Sequence, residues 1–426
     1  MHRLFAFFIF FGFLLILESC IQDDDRHDPE IVFMEPIAGY TVYMPDTLDV
    51  KVEIKDDQVI RTVVLSIVNE NKIPVISANY YYPNSTEFFI ETSLALDDKT
   101  LESGPYQLLV TASDGVNSKD KYRKIIINEI PVRILAYIAV TGQITIKSTI
   151  LKLNPDFETD TQFVIPEGYW LAGVHSLWEK FFFISDEPSI LTAFNPENFK
   201  TEWEIAAEPP RPLITQIFPD QELVFSTANG DAGILSDDGT ITLRTAPAEN
   251  KTIQCLAADD KYIYAAHVSL SGDIHQLTVY YRVSGDIREQ KLLAGEIISM
   301  VPIADKVLVF MPSPSGTGIM EYDPEELTLA QISFLQNEDI GSVMKISESR
   351  LFLLTDSRVI SYEPAINRFT DFINQPYNFC RYDPLNNNVF LVKENLLSVF
   401  NYATENLVKE ISFAEEVLDF QILYNK

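Results

Sequence analysis

The sequence predicts an all-β protein: a small β-sandwich followed by a seven-bladed β-propeller closed by the chain's own C-terminal strand. Three observations predict it. Short alternating or β-branched runs, separated by turn clusters, fill residues 30–131. One hairpin-like unit then recurs seven times at a step near 40 residues. The first unit is one strand short, and the chain ends on a strand that belongs to no unit of its own. Composition narrows the function. Against 62 acidic residues stand 32 basic ones, a net charge of −30, so no basic stripe exists to displace counterions from a nucleic acid. A hydrophobic share of 46% excludes a disordered chain. Three cysteines exclude a disulfide scaffold, and five histidines leave little material for a histidine-rich metal site.

The first nineteen residues read as an address. After His2-Arg3 comes an apolar run from Leu4 to Leu17, too short to span a bilayer, which needs about 20 residues. Cys20 follows Glu18-Ser19, and Ile21-Gln22-Asp23-Asp24-Asp25 follows Cys20. The segment resembles a bacterial lipoprotein signal, with residues 1–19 removed and Cys20 acylated. Residues 20–29 form an acidic tether, within which Ile21-Gln22-Asp23-Asp24-Asp25 is similar to the export signal of Bacteroidetes surface lipoproteins. That resemblance implies a protein held on the outer face of the outer membrane by its lipid chains.

The sandwich is expected over seven strands: Ile31–Met34, Leu48–Ile54, Ile60–Val68, Ile73–Tyr82, Glu87–Leu96, Pro105–Ala112 and Tyr122–Ile127. Turn clusters such as Lys55-Asp56-Asp57 and Ser113-Asp114-Gly115 separate them. The stretch from Ser103 to Gly115 resembles the last hairpin of bacterial immunoglobulin-like and PKD-like domains, which implies that Tyr106 is a corner tyrosine bonding back to the backbone. In Tyr80-Tyr81-Tyr82, strand alternation turns at least one ring outward, where it is a candidate for a sugar or a protein partner. Asp46-Thr47-Leu48 resembles the Bacteroidetes O-glycosylation motif.

Residues 132–426 carry the repeat. Ile150–Pro155, Leu191–Pro196, Ile319–Pro324 and Val359–Pro364 share an apolar strand that ends on an acidic or amide residue and a proline. Degenerate copies occur around Asp237, Ser284 and Asn401. Anchored on Asn154, Asn195, Asp237, Ser284, Asp323, Glu363 and Asn401, the steps are 41, 42, 47, 39, 40 and 38. Two further strands precede most anchors, giving four per unit, which is one propeller blade. The final strand, Val417–Leu423, supplies the innermost strand that the first unit lacks and so closes the ring without a free edge. The repeat resembles β-propellers of the YVTN or quinoprotein-like kind. With Cys20 and the PKD-like module, the whole resembles the PKD-like surface lipoproteins of Bacteroidetes, which implies association with a nutrient-uptake system and its outer-membrane transporter.

Chemistry in the ring is sparse. Aligning the innermost strands places Gly173, Thr215, Gln254, Ser299, Ser342, Asn378 and Asp419 at equivalent positions, with His175 and Arg381 nearby. A glycosidase needs two carboxylates about 5–10 Å apart, and Asp419 stands alone. His175 with Asp419 makes a candidate base and orienter, and Arg381 completes the channel candidates. Trp170 and Trp178 flank the first complete inner strand and are candidates for a glycan-stacking platform, whereas Trp203 is expected to pack between blades. Cys255 and Cys380 read as small buried hydrophobes. No metal, cofactor or nucleic-acid partner is expected. The leading reading is a non-enzymatic lipoprotein that binds a glycan, a peptide or a transporter subunit. A propeller hydrolase or lyase around His175, Arg381 and Asp419, and a structural adhesion scaffold, remain as alternatives.

Overall fold

A computed structural model describes residues 27–206, 214–216 (backbone course only), 222–227 and 229–426. The signal segment 1–19, Cys20 and most of the tether lie outside the described residues. The chain divides into two compact units, Met1–Pro131 and Val132–Lys426.

Unit 1 builds two sheets from eight strands: β1 (Glu30–Glu35), β2 (Tyr40–Tyr43), β3 (Asp46–Ile60), β4 (Thr62–Val68), β5 (Asn79–Tyr81), β6 (Ser85–Leu96), β7 (Gly104–Ser113) and β8 (Ser118–Asn128). One sheet has the order β1-β3-β6 and the other β2-β8-β7-β4-β5. Alternation along β3 sends Leu48, Val50, Val52 and Ile54 into a core shared with Val63, Leu65, Leu108, Val110, Ile125 and Ile127 of the other sheet. Two expectations are corrected. β2 was not expected; it is a four-residue edge strand running parallel to β8, too short to show a period. The expected strand Ile73–Tyr82 is ordered as a strand only at Asn79–Tyr81, because Pro74 has no N–H for a ladder and leaves a single bridge to Val68. The Tyr106 hydroxyl donates to the Glu102 carbonyl at 3.0 Å, the backbone bond of a corner tyrosine.

Unit 2 is a β-propeller. Among the described residues it holds seven four-stranded antiparallel sheets. The first combines β9 (Ile134–Gln143), β10 (Lys147–Leu153) and β11 (Thr159–Ile165) with the last strand of the chain. The second is β12 (Tyr169–His175), β13 (Lys180–Ser185), β14 (Ile190–Phe194) and β15 (Thr201–Ala206). The third is β16 (Ile214–Gln216), β17 (Leu223–Ser226), β18 (Ala232–Leu235) and β19 (Ile241–Arg244). The fourth is β20 (Lys251–Ala258), β21 (Tyr262–Ser269), β22 (His275–Tyr281) and β23 (Ile287–Leu293), and the fifth β24 (Ser299–Ile303), β25 (Lys306–Ser313), β26 (Gly316–Asp323) and β27 (Thr328–Gln336). The sixth is β28 (Ile340–Ser347), β29 (Arg350–Thr355), β30 (Val359–Glu363) and β31 (Arg368–Ile373), and the seventh β32 (Phe379–Asp383), β33 (Asn388–Lys393), β34 (Leu396–Asn401) and β35 (Leu407–Ser412).

The second strand of each sheet explains the arrangement. β13, Lys-Phe-Phe-Phe-Ile-Ser, is buried along its whole length, with Phe181 and Phe183 packed toward the first sheet and Phe182 and Ile184 toward the third. A strand apolar on both faces must be covered on both. Each junction between consecutive sheets accordingly has its own hydrophobic cluster, and the cluster of Phe390, Val399, Tyr137 and Phe420 joins the seventh sheet back to the first. The ring is closed by β36 (Val417–Tyr424), which pairs antiparallel with β9 as the innermost strand of the first sheet.

The repeat anchors fall at the end of the third strand or in the turn that follows it in every sheet. Asn154, Asn195, Asp323 and Asn401 each accept backbone N–H groups two to four residues ahead, closing Asx turns. In the third sheet this role belongs to Asp238, whose carboxylate caps Thr240, rather than to Asp237. Glu363 caps no turn and instead holds Arg350 and Arg368.

Two substitutions probe these elements. Tyr106→Phe removes one neutral hydrogen bond and should cost about 1 kcal/mol in denaturant unfolding of the transition that reports unit 1. Phe420→Ala empties a fully buried site that stacks on Phe390 at 5.1 Å, and should cost about 3–5 kcal/mol in the propeller transition.

Candidate functional site

Two polar constellations stand out in unit 2, one on its innermost strands and one in a cleft between the first two sheets. The first is built on Asp419 of β36. Its carboxylate is 4% exposed, yet its oxygens are surrounded by donors: Arg381 Nη2 on β32 at 2.7 Å, the Tyr169 hydroxyl on β12 at 2.8 Å, Gln421 Nε2 at 3.1 Å and the Phe420 N–H at 2.7 Å. Gln421 also donates to the Ala172 carbonyl at 3.1 Å. Asp419 thus ties together the inner strands of the seventh, first and second sheets. Burial and the neighbouring Asp419 charge push the Tyr169 hydroxyl well above the usual tyrosine range, so it stays a neutral donor. A carboxylate with its lone pairs spent on four donors is a clamp, and it has no free edge to take a proton from a substrate.

The channel residues aligned from sequence are corrected in register. Trp170, Gln254, Gly341 and Leu418 are extra residues at bulges in β12, β20, β28 and β36. Counted through the ladders, one layer holds Leu171, Cys255, Ser299, Ser342, Phe379 and Asp419. Gly173, Gln254 and Asn378 therefore leave the layer, while the side chain of Thr215 lies outside the described residues. The bulges leave no mark in the sequence, because an inserted residue looks like any other strand residue.

His175 does not pair with Asp419. It ends β12, four residues beyond Leu171, which sits level with Asp419, so roughly 13 Å of strand separates the two levels. Its ring is fully buried and stacks on Trp178 at 3.8 Å, with planes 11° apart, and Nδ1 accepts the Trp178 backbone N–H at 3.3 Å. Burial, with help from the Lys180 charge, lowers its pKa to about 4. The imidazole is therefore neutral near pH 7 and serves as the backing of an indole.

That indole borders the second constellation. Trp178 is half-buried, edge-on to Phe182 at 6.4 Å, and lines a cleft of about 360 Å³ at the junction of the first two sheets. Arg133, Lys152, Glu179, Asn195, Glu197 and Glu202 supply the polar lining. Glu202 is fixed by Lys180 at 2.8 Å, and Lys180 in turn donates to Asp237 of the third sheet. Asn195 is held by its own turn and reaches Glu202 at 3.4 Å. Of these, only Trp178 is a candidate from the sequence; the rest converge from five strands and turns spread over residues 133–202.

The remaining candidates separate. Trp170 sits at the β12 bulge, at the opposite end of that strand from Trp178, and packs against the cluster between the second and third sheets. The two indoles therefore form no shared platform, because the length of β12 from its bulge to the turn after His175 holds them apart. Trp203 packs against Phe182 at 5.7 Å and donates from Nε1 to the Asp237 carbonyl at 2.8 Å, bridging two sheets as expected. In unit 1, Tyr80 and Tyr82 are exposed while Tyr81 packs on the core against Phe88. Cys380 is buried and Cys255 nearly so, with burial pushing both thiols up to about 12.

No family model matches the chain, and no curated protein matches it. Among solved structures, a quinoprotein alcohol dehydrogenase-like protein from Bacteroides thetaiotaomicron is 11% identical, covering 93% of this chain and 99% of its own, with a TM-score of 0.48. AztD from Citrobacter koseri is 10% identical over 68% of this chain and 98% of its own, TM-score 0.47. BamB from Moraxella catarrhalis is 9% identical over 66% and 92%, TM-score 0.40. At these values nothing about this chain's chemistry follows from them.

Two outcomes are expected. Asp419→Ala leaves Arg381 without its buried partner and should destabilise the propeller by about 3 kcal/mol, with a double-mutant cycle to Arg381→Ala showing strong coupling. For His175 the folded pKa lies below the unfolded 6.5, so the unfolded chain binds the extra proton. Its contribution is present above pH 6.5 and is lost as pH falls toward 4, by roughly 3 kcal/mol in all. Urea unfolding of His175→Gln across that window should show a correspondingly shallower slope.

Proposed function

We propose that the chain is a non-enzymatic binding module whose recognition site is the Trp178 cleft, and that its ligand is a glycan segment. The observation that carries this reading is the cleft itself: a half-buried indole, held rigid by its stack on a neutral imidazole, beside an amide, three carboxylates and two cations. An aromatic face takes the apolar side of a sugar ring, while fixed amides and charges take its hydroxyls. The spent lone pairs of Asp419 and the depressed basicity of His175 favour binding over hydrolysis at the ring.

Around that site the chain reads as a PKD-like surface lipoprotein: Cys20 acylated, an immunoglobulin-like module over residues 30–131, and a seven-bladed propeller of the YVTN or quinoprotein-like kind over residues 132–426. In this reading it faces the cell exterior from the outer membrane and hands its ligand to an outer-membrane transporter. The lipoprotein-type segment ending at Cys20 and the sheet arrangement support it.

The test is a glycan and peptide array probed with the full chain in detergent and with Trp178→Ala. The expected result is glycan binding weakened roughly 30-fold or more by the substitution, as for a buried aromatic anchor. Binding unchanged in Trp178→Ala, or products released from any array component, would refute the proposal.

A further inference from the structure

In unit 1, β6 is the outer strand of the order β1-β3-β6, so along its twelve residues alternate backbone N–H and C=O groups face away from β3. The solvent face of this sheet carries two charge rows. Glu30 of β1 lies opposite Lys55 of β3, and Lys55 lies opposite Glu87 of β6. Glu35 lies opposite Lys51, and Lys51 lies opposite Glu91, with its ammonium 3.4 Å from Glu35 and 3.5 Å from Glu91. Each row runs acid, base, acid, and each stops on an acid at the open edge. Between the rows, Val32 and Phe89 are exposed on the same face, with Phe89 at 46%. At the end of β6 a groove of about 740 Å³ opens between Leu94 and the segment carrying Val75 and Ile76, with Asp97 and Asp98 on its rim.

We propose that β6 is a strand-addition site for an extended, basic segment of a partner protein. The segment adds as a fourth strand, placing one lysine or arginine opposite Glu87 and another opposite Glu91, with an aromatic or β-branched residue opposite Phe89. Cross-strand neighbours of opposite charge are favourable and like charges are not, so the two rows specify a base, a spacer, an apolar residue, a spacer and a base. The same rows disfavour a second copy of this chain: antiparallel pairing of two β6 strands about Phe89 sets Glu87 against Glu91 twice. The inference is independent of the Trp178 cleft.

The experiment uses the full chain and a synthetic peptide as long as β6, alternating in pattern, with lysine at the two outward positions four residues apart. A matched peptide carries glutamate there. The lysine peptide should bind about tenfold or more tightly than the glutamate peptide, in line with two cross-strand charge pairs, and the preference should weaken with salt. Glu87→Gln with Glu91→Gln, both at exposed positions, should abolish that preference without changing the unfolding midpoint. Amide exchange should slow along β6 when the lysine peptide is bound. No binding at millimolar peptide, a preference untouched by the double substitution, protection confined to other strands, or a stable homodimer in sedimentation would each overturn the proposal.

Discussion

The propeller depends on one constraint: the second strand of every sheet is apolar on both faces. A sheet built around Phe181–Ile184, Val307–Phe310 or Leu351–Leu354 has no face to give to water, so it must lie between two others. A row of such sheets leaves two naked ends, and bending the row into a ring removes them. Closing the ring turns the end problem into a seventh junction, filled by Phe390, Tyr137 and Phe420.

Closure has a polar as well as an apolar part. β36 arrives from the far end of the chain and is held to β9 by its ladder. Asp419 adds directional bonds to Arg381 and Tyr169 on the strands to either side. Apolar packing tolerates a slip along the strand, whereas a buried carboxylate that must find a guanidinium and a hydroxyl at once does not. Placing a carboxylate of that inner layer at the seam accordingly fixes the register at the point where the chain must find itself again.

The candidate site was legible only in part, and the reasons are local. The anchors Asn154, Asn195, Asp323 and Asn401 announce themselves because an Asx turn is made by residues two to four apart. The bulges at Trp170, Gln254, Gly341 and Leu418 do not, since an extra strand residue has no signature of its own, and each displaces everything aligned through it by one position. His175 looked like a base beside an acid when only adjacency of strands was considered. Its level along β12 puts it against Trp178 instead, where burial removes its basicity.

The sequence by itself determined the all-β class, the repeat step, the turn chemistry between third and fourth strands, and the spare strand at the C-terminus. These are written in residue spacing and in side chains that act on their own neighbourhood. Only the tertiary structure decided which side chains meet: Asp419 with Arg381 and Tyr169, Trp178 with His175 beside a cleft that Lys152 also lines, and the rows Glu30–Lys55–Glu87 and Glu35–Lys51–Glu91. Those meetings depend on strand register and on which sheets become neighbours, quantities that hydrogen-bond ladders and core packing set across tens to hundreds of residues and that no local pattern encodes.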